Sequence, residues 1–323
     1  MTATAIPATA RSISLGASIA SATSLDEALI ASGLNWGLNL VPANNLSVFT
    51  EDGAFLTQIP GQRLVMRDDT HVTLGVVGGR YHAVPNTAAF AVADHLYDQG
   101  ARFTEAGELD HGRTTFVRMS LPGCDVALAD GKDLIKAGIT LRAVHDGTGK
   151  VTASLDLTRL ICTNGMVAKI KGIPHTFAIS HTASADRHLA NAHTIMNGAI
   201  RYAKGFAAAA SHMLDTPMSK DEFGQFIDSL FPMPEVKEGE SPRGMTMWEN
   251  RRGALMELFT FAETNELGRG TAMGAYNALT EWIDWGKHVR SSDGASDEGV
   301  LRARRRIEGA DQSLKDAALA ALV

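Results

Sequence analysis

An α+β fold is predicted for this 323-residue chain, with β-hairpins packed against helices in a β-β-β-α-like core and a helical C-terminal part. Three observations predict it. Two pairs of runs in the middle of the chain, 101–109 with 114–121 and 139–145 with 151–157, each flank a polar turn containing Gly, which is a hairpin signal. From residue 184 onward the apolar residues recur at helical spacing. No internal repeat interrupts the order of small mixed region, hairpin core and helices.

Four regions follow. Residues 1–23 read as a mobile tail, with Arg11 as its one basic residue, no acid, and no apolar core of a secretory signal. Residues 24–75 form a small mixed region. Ser24 and Glu27 make a capping box for a short helix, and irregular strands from Asn35 to Leu74 are broken at Pro42, Asn44-Asn45, Asp52-Gly53 and Pro60-Gly61.

Residues 76–213 are the α+β core. Asn86 is predicted to cap a helix through Gln99, with Ala89, Phe90, Ala93, Leu96 and Tyr97 on one side and Gly100 as its stop. The hairpins turn at Asp110-His111-Gly112 and Asp146-Gly147-Thr148-Gly149. In the last strand Thr152, Ser154, Asp156 and Thr158 alternate with Val151, Ala153, Leu155 and Leu157, so one face is wet. A short helix is predicted near Lys169, and a long one from Ser184 to Met213.

Residues 214–323 read as helices at 217–230, 247–265, 271–289 and 300–323. A mobile loop at 231–244 and a Ser/Asp/Gly break at 291–299 separate them.

Composition excludes several classes. Hydrophobic residues at 45% and charged residues at 20% describe a folded chain. No run approaches the length of a membrane-spanning helix. The net charge of -6 rules out a generally basic nucleic-acid coat, while leaving room for a local basic groove. Two cysteines cannot form a disulfide framework or a four-thiolate zinc site, which fits a reducing cytoplasm.

Motifs for covalent chemistry are weak. There is no Walker phosphate loop and no G-x-S-x-G elbow. Gly268-Arg-Gly270-Thr-Ala-Met-Gly274 precedes a helix but lacks the dinucleotide spacing, so it reads as a flexible start to that helix. Cys162 reads as a small buried hydrophobe.

The cluster His175, His181, His188, His193 and His212 includes a spacing of five between His188 and His193, roughly 140° apart on a helix and not the i,i+4 of zinc helices. His145-Asp146 reads as part of a turn with Gly147 at positive φ, against a catalytic pair as the alternative. No cofactor and no metal are expected.

Charge is distributed unevenly. Between Leu160 and His212 the basic residues are Lys169, Lys171, Arg187, Arg201 and Lys204, and Asp186 is the one acid. Such a segment beside a sheet suits either a phosphate-tracking groove or a solvated helix face. Asp215 to Arg269 carries six basic and eleven acidic residues. Arg302, Arg304, Arg305 and Arg306 form a second basic run, read as a solvated helix face or tail contact. On the helix at 271–289, Tyr276, Leu279, Trp282 and Ile283 form a stripe that either packs on the chain's own core or joins protomers.

Five segments carry a resemblance to a known family: Gly79-Arg-Tyr-His-Ala-Val-Pro-Asn86, Val144-His-Asp-Gly-Thr148, Arg159-Leu-Ile-Cys-Thr-Asn164, Ile179-Ser-His-Thr182, and Gly270 to Asp284. Together, over 24–322, they resemble the phage/plasmid-like protein family, a domain of unknown function. Two positions depart from its pattern: Ser180 where the family often has Arg, and Trp285 where it often has His.

More distantly, the helix-hairpin-hairpin-helix order looks like the core of phage single-strand annealing recombinases. That resemblance implies a phage- or plasmid-encoded protein in the bacterial cytoplasm. It also implies single-stranded DNA binding, ATP-independent strand annealing in recombination, and a homo-oligomeric ring or filament, with no catalytic centre. The expected phosphate contacts are Arg142, Arg159, Lys169, Lys171, Arg187, Arg201 and Lys204. Two alternatives differ in kind. One is a phage accessory protein whose acidic 215–269 stretch docks a host protein. The other is a metal-dependent enzyme built on His145, Asp146, His181 and His188.

Overall fold

The computed structural model describes residues 14–43, 46–57, 59–161, 163–178, 185–235, 243–289 and 297–323. In the N-terminal part, β1 (Ala17–Ser18) and α1 (Leu25–Ser32) are followed by β2 (Leu38–Pro42), β3 (Leu46–Thr50), β4 (Gly53–Thr57), β5 (Gln62–Arg67) and β6 (Thr73–Gly78). Strands β2, β5 and β6 form a three-stranded sheet, and β3 and β4 form a ribbon. Short helices α2 (Asn86–Ala89) and α3 (Val92–Asp98) lead into the strands β7 (Arg102–Leu109), β8 (Thr114–Ser120), β9 (Val126–Leu128), β10 (Asp133–Val144), β11 (Thr152–Arg159) and β12 (Thr176–Ala178). These strands and β1 make one antiparallel sheet in the order β1-β7-β8-β10-β11-β12, with β9 pairing on β10.

The helices α4 (Ala185–Asp215), α5 (Lys220–Leu230), α6 (Arg243–Phe261), α7 (Ala272–Glu281), α8 (Glu298–Glu308) and α9 (Gln312–Leu322) follow. No described helix is long and apolar enough to cross a membrane. The chain is thus α+β, with antiparallel sheets first and helices after.

The two predicted hairpins close as their turn residues require. Leu109 pairs with Thr114 and Arg142 with Thr152. Gly147 takes φ +85, a region open to glycine at little cost, and packs so close to Val77 that a Cβ would overlap it.

Strict alternation then gives the large sheet two unlike faces. Phe103, Val117, Met119, Ile139, Leu141, Ala153, Leu155 and Leu157 are buried in the main core with residues of α1, α3, α4, α7 and α9. On the other face, Arg118, Thr140 and Ser154 stand side by side, as do Arg142 and Thr152.

Several expectations are corrected. Asn86 does not cap its helix; Pro85 holds that position, and Asn86 is buried with its amide donating to Leu34 O at 2.9 Å. The helix breaks between α2 and α3. No helix forms near Lys169, where the chain is irregular and closes an Ile170–Ile173 bridge. The helix predicted over 271–289 ends as α-helix at Glu281 and continues as one π-turn, Trp282–Gly286. The last helix is two, because Gly309 at φ +70 caps α8. Ser184 and residues 236–242 of the loop expected at 231–244 lie outside the described residues.

The aromatic stripe has one fate. Tyr276, Leu279, Trp282 and Ile283 are all buried in the chain's own core, so this helix face is not a protomer contact. The glycine-rich segment before α7 is likewise internal. Gly268 and Gly274 pack backbone against backbone, and Thr271 Oγ1 accepts from Gly274 N at 3.2 Å, so the helix N-terminus is already capped.

Arg159 also faces the core. Its side chain is 0% exposed, and its Nε donates to both oxygens of Asp133 at 2.8 Å. Nη1 reaches Thr264 O at 2.5 Å, which ties the sheet to the turn before α7. Asp133→Ala would leave that guanidinium buried beside no carboxylate. The expected loss is about 3–5 kcal/mol of unfolding free energy. Chemical denaturation measures it, and an unchanged midpoint contradicts the assignment.

Candidate nucleic-acid interface

A cleft of about 320 Å³ lies between the polar face of the large sheet and the α8–α9 hairpin. Its floor is built by alternation alone. Arg118 on β8, Thr140 and Arg142 on β10, Thr152, Ser154 and Asp156 on β11, and Thr176 on β12 all line it. Arg302, Arg305 and Arg306 of α8, with Gln312 and Lys315 of α9, form the opposite wall. His175 and the π-turn residue Asp284 close the sides.

α8 is fixed on the sheet by both kinds of contact. Ile307 packs on Phe116 and Leu109. Arg306 donates to Asp156 Oδ1 at 2.9 Å and to Thr163 O at 3.0 Å. Arg304 forks onto Asp110 at 2.8 and 2.7 Å. The arginine run read as a solvated face is therefore mostly spent on holding α8 in place.

The electrostatics are asymmetric. Asp156 is held between Arg306 at 2.9 Å and Arg118 at 3.3 Å. Burial alone would raise its pKa, but the Arg306 and Arg118 charges outweigh it and bring the carboxyl down to about 2. Arg118 also reaches Glu105 at 3.1 Å. Lys315 donates to Gly165 O at 2.9 Å and pairs with Asp284 at 3.0 Å. Arg142 differs: it is half-buried in the floor and has no hydrogen-bond or ion-pair partner among the described residues. Burial lowers the pKa of His175, with Lys169 adding to that and Asp316 opposing it.

The residues expected to touch phosphate fall into four groups. Arg142 is in the cleft. Arg159 is inside the protein on the other face of the sheet and does not reach the surface. Lys169, Lys171, Arg201 and Lys204 are exposed. The 165–178 loop links the cleft to α4. His175 and Thr176 line the cleft, while a Cβ at Gly198 would overlap the Phe177 ring and one at Gly205 would overlap Ile173. Arg201 lies between those two glycines along the helix. Arg187 is in the first turn of α4, with its side chain outside the described residues.

Arg118, Arg305, Arg306 and Lys315 were missed in the sequence. The signal for Arg118 was its alternation with Phe116 and pairing opposite Thr140. The basic run of Arg302, Arg304, Arg305 and Arg306 was visible, but nothing local placed it or Lys315 against the sheet.

The chain matches a family described as a domain of unknown function, DUF932, over residues 73–307. It belongs to that family. The matched span takes in the whole cleft floor and ends at Ile307 on α8, so the family carries the floor and the α8 wall, while Gln312 and Lys315 lie beyond it. No curated protein and no solved structure matches the chain.

The alternative sites can be placed as well. Among the described residues no cluster of three or more His, Cys, Asp or Glu side chains is set to hold a metal ion. His181 lies outside the described residues, as does the side chain of His188, and His193 and His212 are exposed. Cys162 is outside them too; Cys124 is buried, which pushes its thiol pKa up.

His145 is buried with its ring edge on Trp36, 5.5 Å between centroids. With Nε2 protonated, Asn86 Oδ1 accepts from it at 3.0 Å and from Thr115 Oγ1 at 2.8 Å. Asp146 instead accepts from Thr148 N at 2.8 Å within the turn. Histidine and aspartate thus serve different local structures.

Burial drives the His145 pKa from 6.5 to about 4 against the opposing charge of Asp146. The folded state therefore binds this proton less readily than the unfolded chain. The contribution is fully present above pH 6.5 and is lost as pH falls toward about 4. Its size is of order 3 kcal/mol. Denaturation of wild type and His145→Gln across that range measures it. The variant's curve should be flatter by this amount, and parallel curves contradict a neutral buried histidine.

Proposed function

We propose that the chain binds single-stranded DNA through the polar face of its large sheet and pairs complementary strands without ATP or covalent chemistry. Arg142 carries this reading. A guanidinium standing in a cleft floor with no carboxylate paired to it among the described residues, beside the hydroxyls of Thr140, Thr152, Ser154 and Thr176, is matched to an external phosphate. The exposed cations Lys169, Lys171, Arg201 and Lys204 extend the positive surface from the cleft along the loop to α4.

The expected hairpins are present as β7-β8 and β10-β11, but β9 and β12 add to the succession and the helix expected near Lys169 does not form, so the β-β-β-α likeness to annealing proteins gives only loose support. That order is a likeness of arrangement, and the cleft chemistry is the stronger support. Aromatic stacking contributes little in the cleft, because its lining contains no Phe, Tyr or Trp. Binding rests on phosphates and leaves bases free to pair. Strand pairing calls for copies of the protein side by side, so the reading includes a homo-oligomer, assembled through surfaces other than the α7 stripe.

The test is the salt dependence of oligonucleotide binding. Affinity should fall steeply with salt, with a log–log slope of about −0.7 for each phosphate neutralised on a single strand. Replacing Lys169, Lys171 and Arg201 together with Ala should reduce the slope by about two. Tight binding that ignores salt, or a slope unchanged in the triple variant, overturns the reading.

A further inference from the structure

The polar face of the sheet carries two hollows, not one trough. The second, about 350 Å³, is lined by Ser18, Thr104, Glu105, Ser120, Lys136 and Gly138. Arg118, Thr140 and Asp156 line both. Between the hollows stands a chain of ion pairs, Arg306–Asp156–Arg118–Glu105, with gaps of 2.9, 3.3 and 3.1 Å. This bar closes the cleft at one end. At the other end of the cleft stand Arg142, Thr152 and Thr176, the last on β12, the edge strand of the described sheet.

A strand passing through its binding site needs an entrance and an exit. A cleft barred at one end has an opening for a single chain. Its volume of about 320 Å³ is at the small end of ligand pockets, with room for one nucleotide rather than several.

Charge narrows the ligand further. Six cationic side chains line the cleft, and five already have carboxylate partners: Glu105 and Asp156 for Arg118, Glu298 for Arg302, Asp311 for Arg305, Asp156 for Arg306 and Asp284 for Lys315, which leaves Arg142 as the one without an ion pair among the described residues. An internal phosphodiester carries one negative charge. A terminal phosphomonoester carries between one and a half and two near neutral pH, with three strong acceptor oxygens, as phosphoserine does at roughly the same second pKa. The three acceptor oxygens of a terminal phosphate, more than the two free ones of a diester, match the Arg142 guanidinium set among the hydroxyls of Thr140, Thr152, Ser154 and Thr176. Arg142, with no ion-pair partner among the described residues to displace, is placed to meet it.

We propose that the cleft seats the terminal nucleotide of a DNA strand that ends in a phosphomonoester, with Arg142 as a principal phosphate contact. This rests on the single-stranded DNA reading and names which part of the strand the cleft takes. Lys169, Lys171, Arg201 and Lys204 then hold the phosphodiesters that follow, outside the cleft.

The experiment compares internally labelled oligothymidylates by fluorescence anisotropy with the full chain. One carries a 5′-phosphate, one a 3′-phosphate, one hydroxyls at both ends, and one is a closed circle. The expected result is that a phosphorylated end binds roughly tenfold tighter than the hydroxyl form and the circle, the worth of one added charge-assisted contact. The two phosphorylated arms decide which end is seated. Thymidine monophosphate should compete for that advantage, and Arg142→Ala, checked by thermal melting, should abolish it. Equal affinity of all four oligonucleotides with salt dependence retained overturns the end site and leaves the DNA reading standing. Binding of none of them overturns both.

Discussion

The salt-bridge chain that ties α8 to the sheet sets the shape of the whole polar face. Asp156 stands in the middle of β11 and is held from two sides, by Arg306 from the helix above and by Arg118, which reaches across β10 from β8. A carboxylate taken from water between two guanidiniums keeps its charge, and two arginines that would repel each other are held within reach of one cleft. Remove that carboxylate and the link between them is lost, leaving Arg118 to Glu105 and Arg306 to Thr163 O. The cleft wall exists because this pair fixes α8, and Ile307 adds the apolar contact with Phe116 and Leu109 beneath it.

The opposite face of the same strands shows how the burden is divided. Core residues there are joined by a second buried pair, Arg159 with Asp133, two strand positions on a mainly apolar side. Both faces of the sheet thus use arginine, for different ends. Arg159 is fully paired and inaccessible and serves cohesion. Arg118 and Arg306 are paired but line a cavity, and Arg142 lines it without a described partner. Available charge, not total charge, separates a binding surface from a structural one. That is how a chain of net charge -6 can hold a locally cationic cleft.

Much of the fold was legible because it is local. Period-two alternation marked the wet face of β11, and turn residues marked both hairpins, including the positive φ of Gly147. What was not legible is long-range. Asn86 has the composition of a helix cap, yet its amide is drawn to Leu34 O and its carbonyl to Thr115 and His145, because buried polar groups must be satisfied. Arg159 follows Thr158 in a basic-looking segment, and only the strand register puts it on the apolar face opposite Ile135. The site itself is half legible. Arg142 was visible as a polar strand residue, whereas the wall of α8 and α9 comes from some 150 residues downstream, as the Arg306–Asp156 and Lys315–Gly165 contacts show.

The central claim is that nucleic acid lies on the polar face of the large sheet, against α8 and α9. Photo-crosslinking of a single-stranded oligonucleotide containing 5-iodouracil, followed by mass spectrometry of the attached peptides, tests it most directly. The account predicts cross-links in β10, β11, the loop bearing His175 and the α8–α9 hairpin, and their loss in excess salt. Cross-links confined to the acidic helix α5, to α6 or to the N-terminal three-stranded sheet would contradict it.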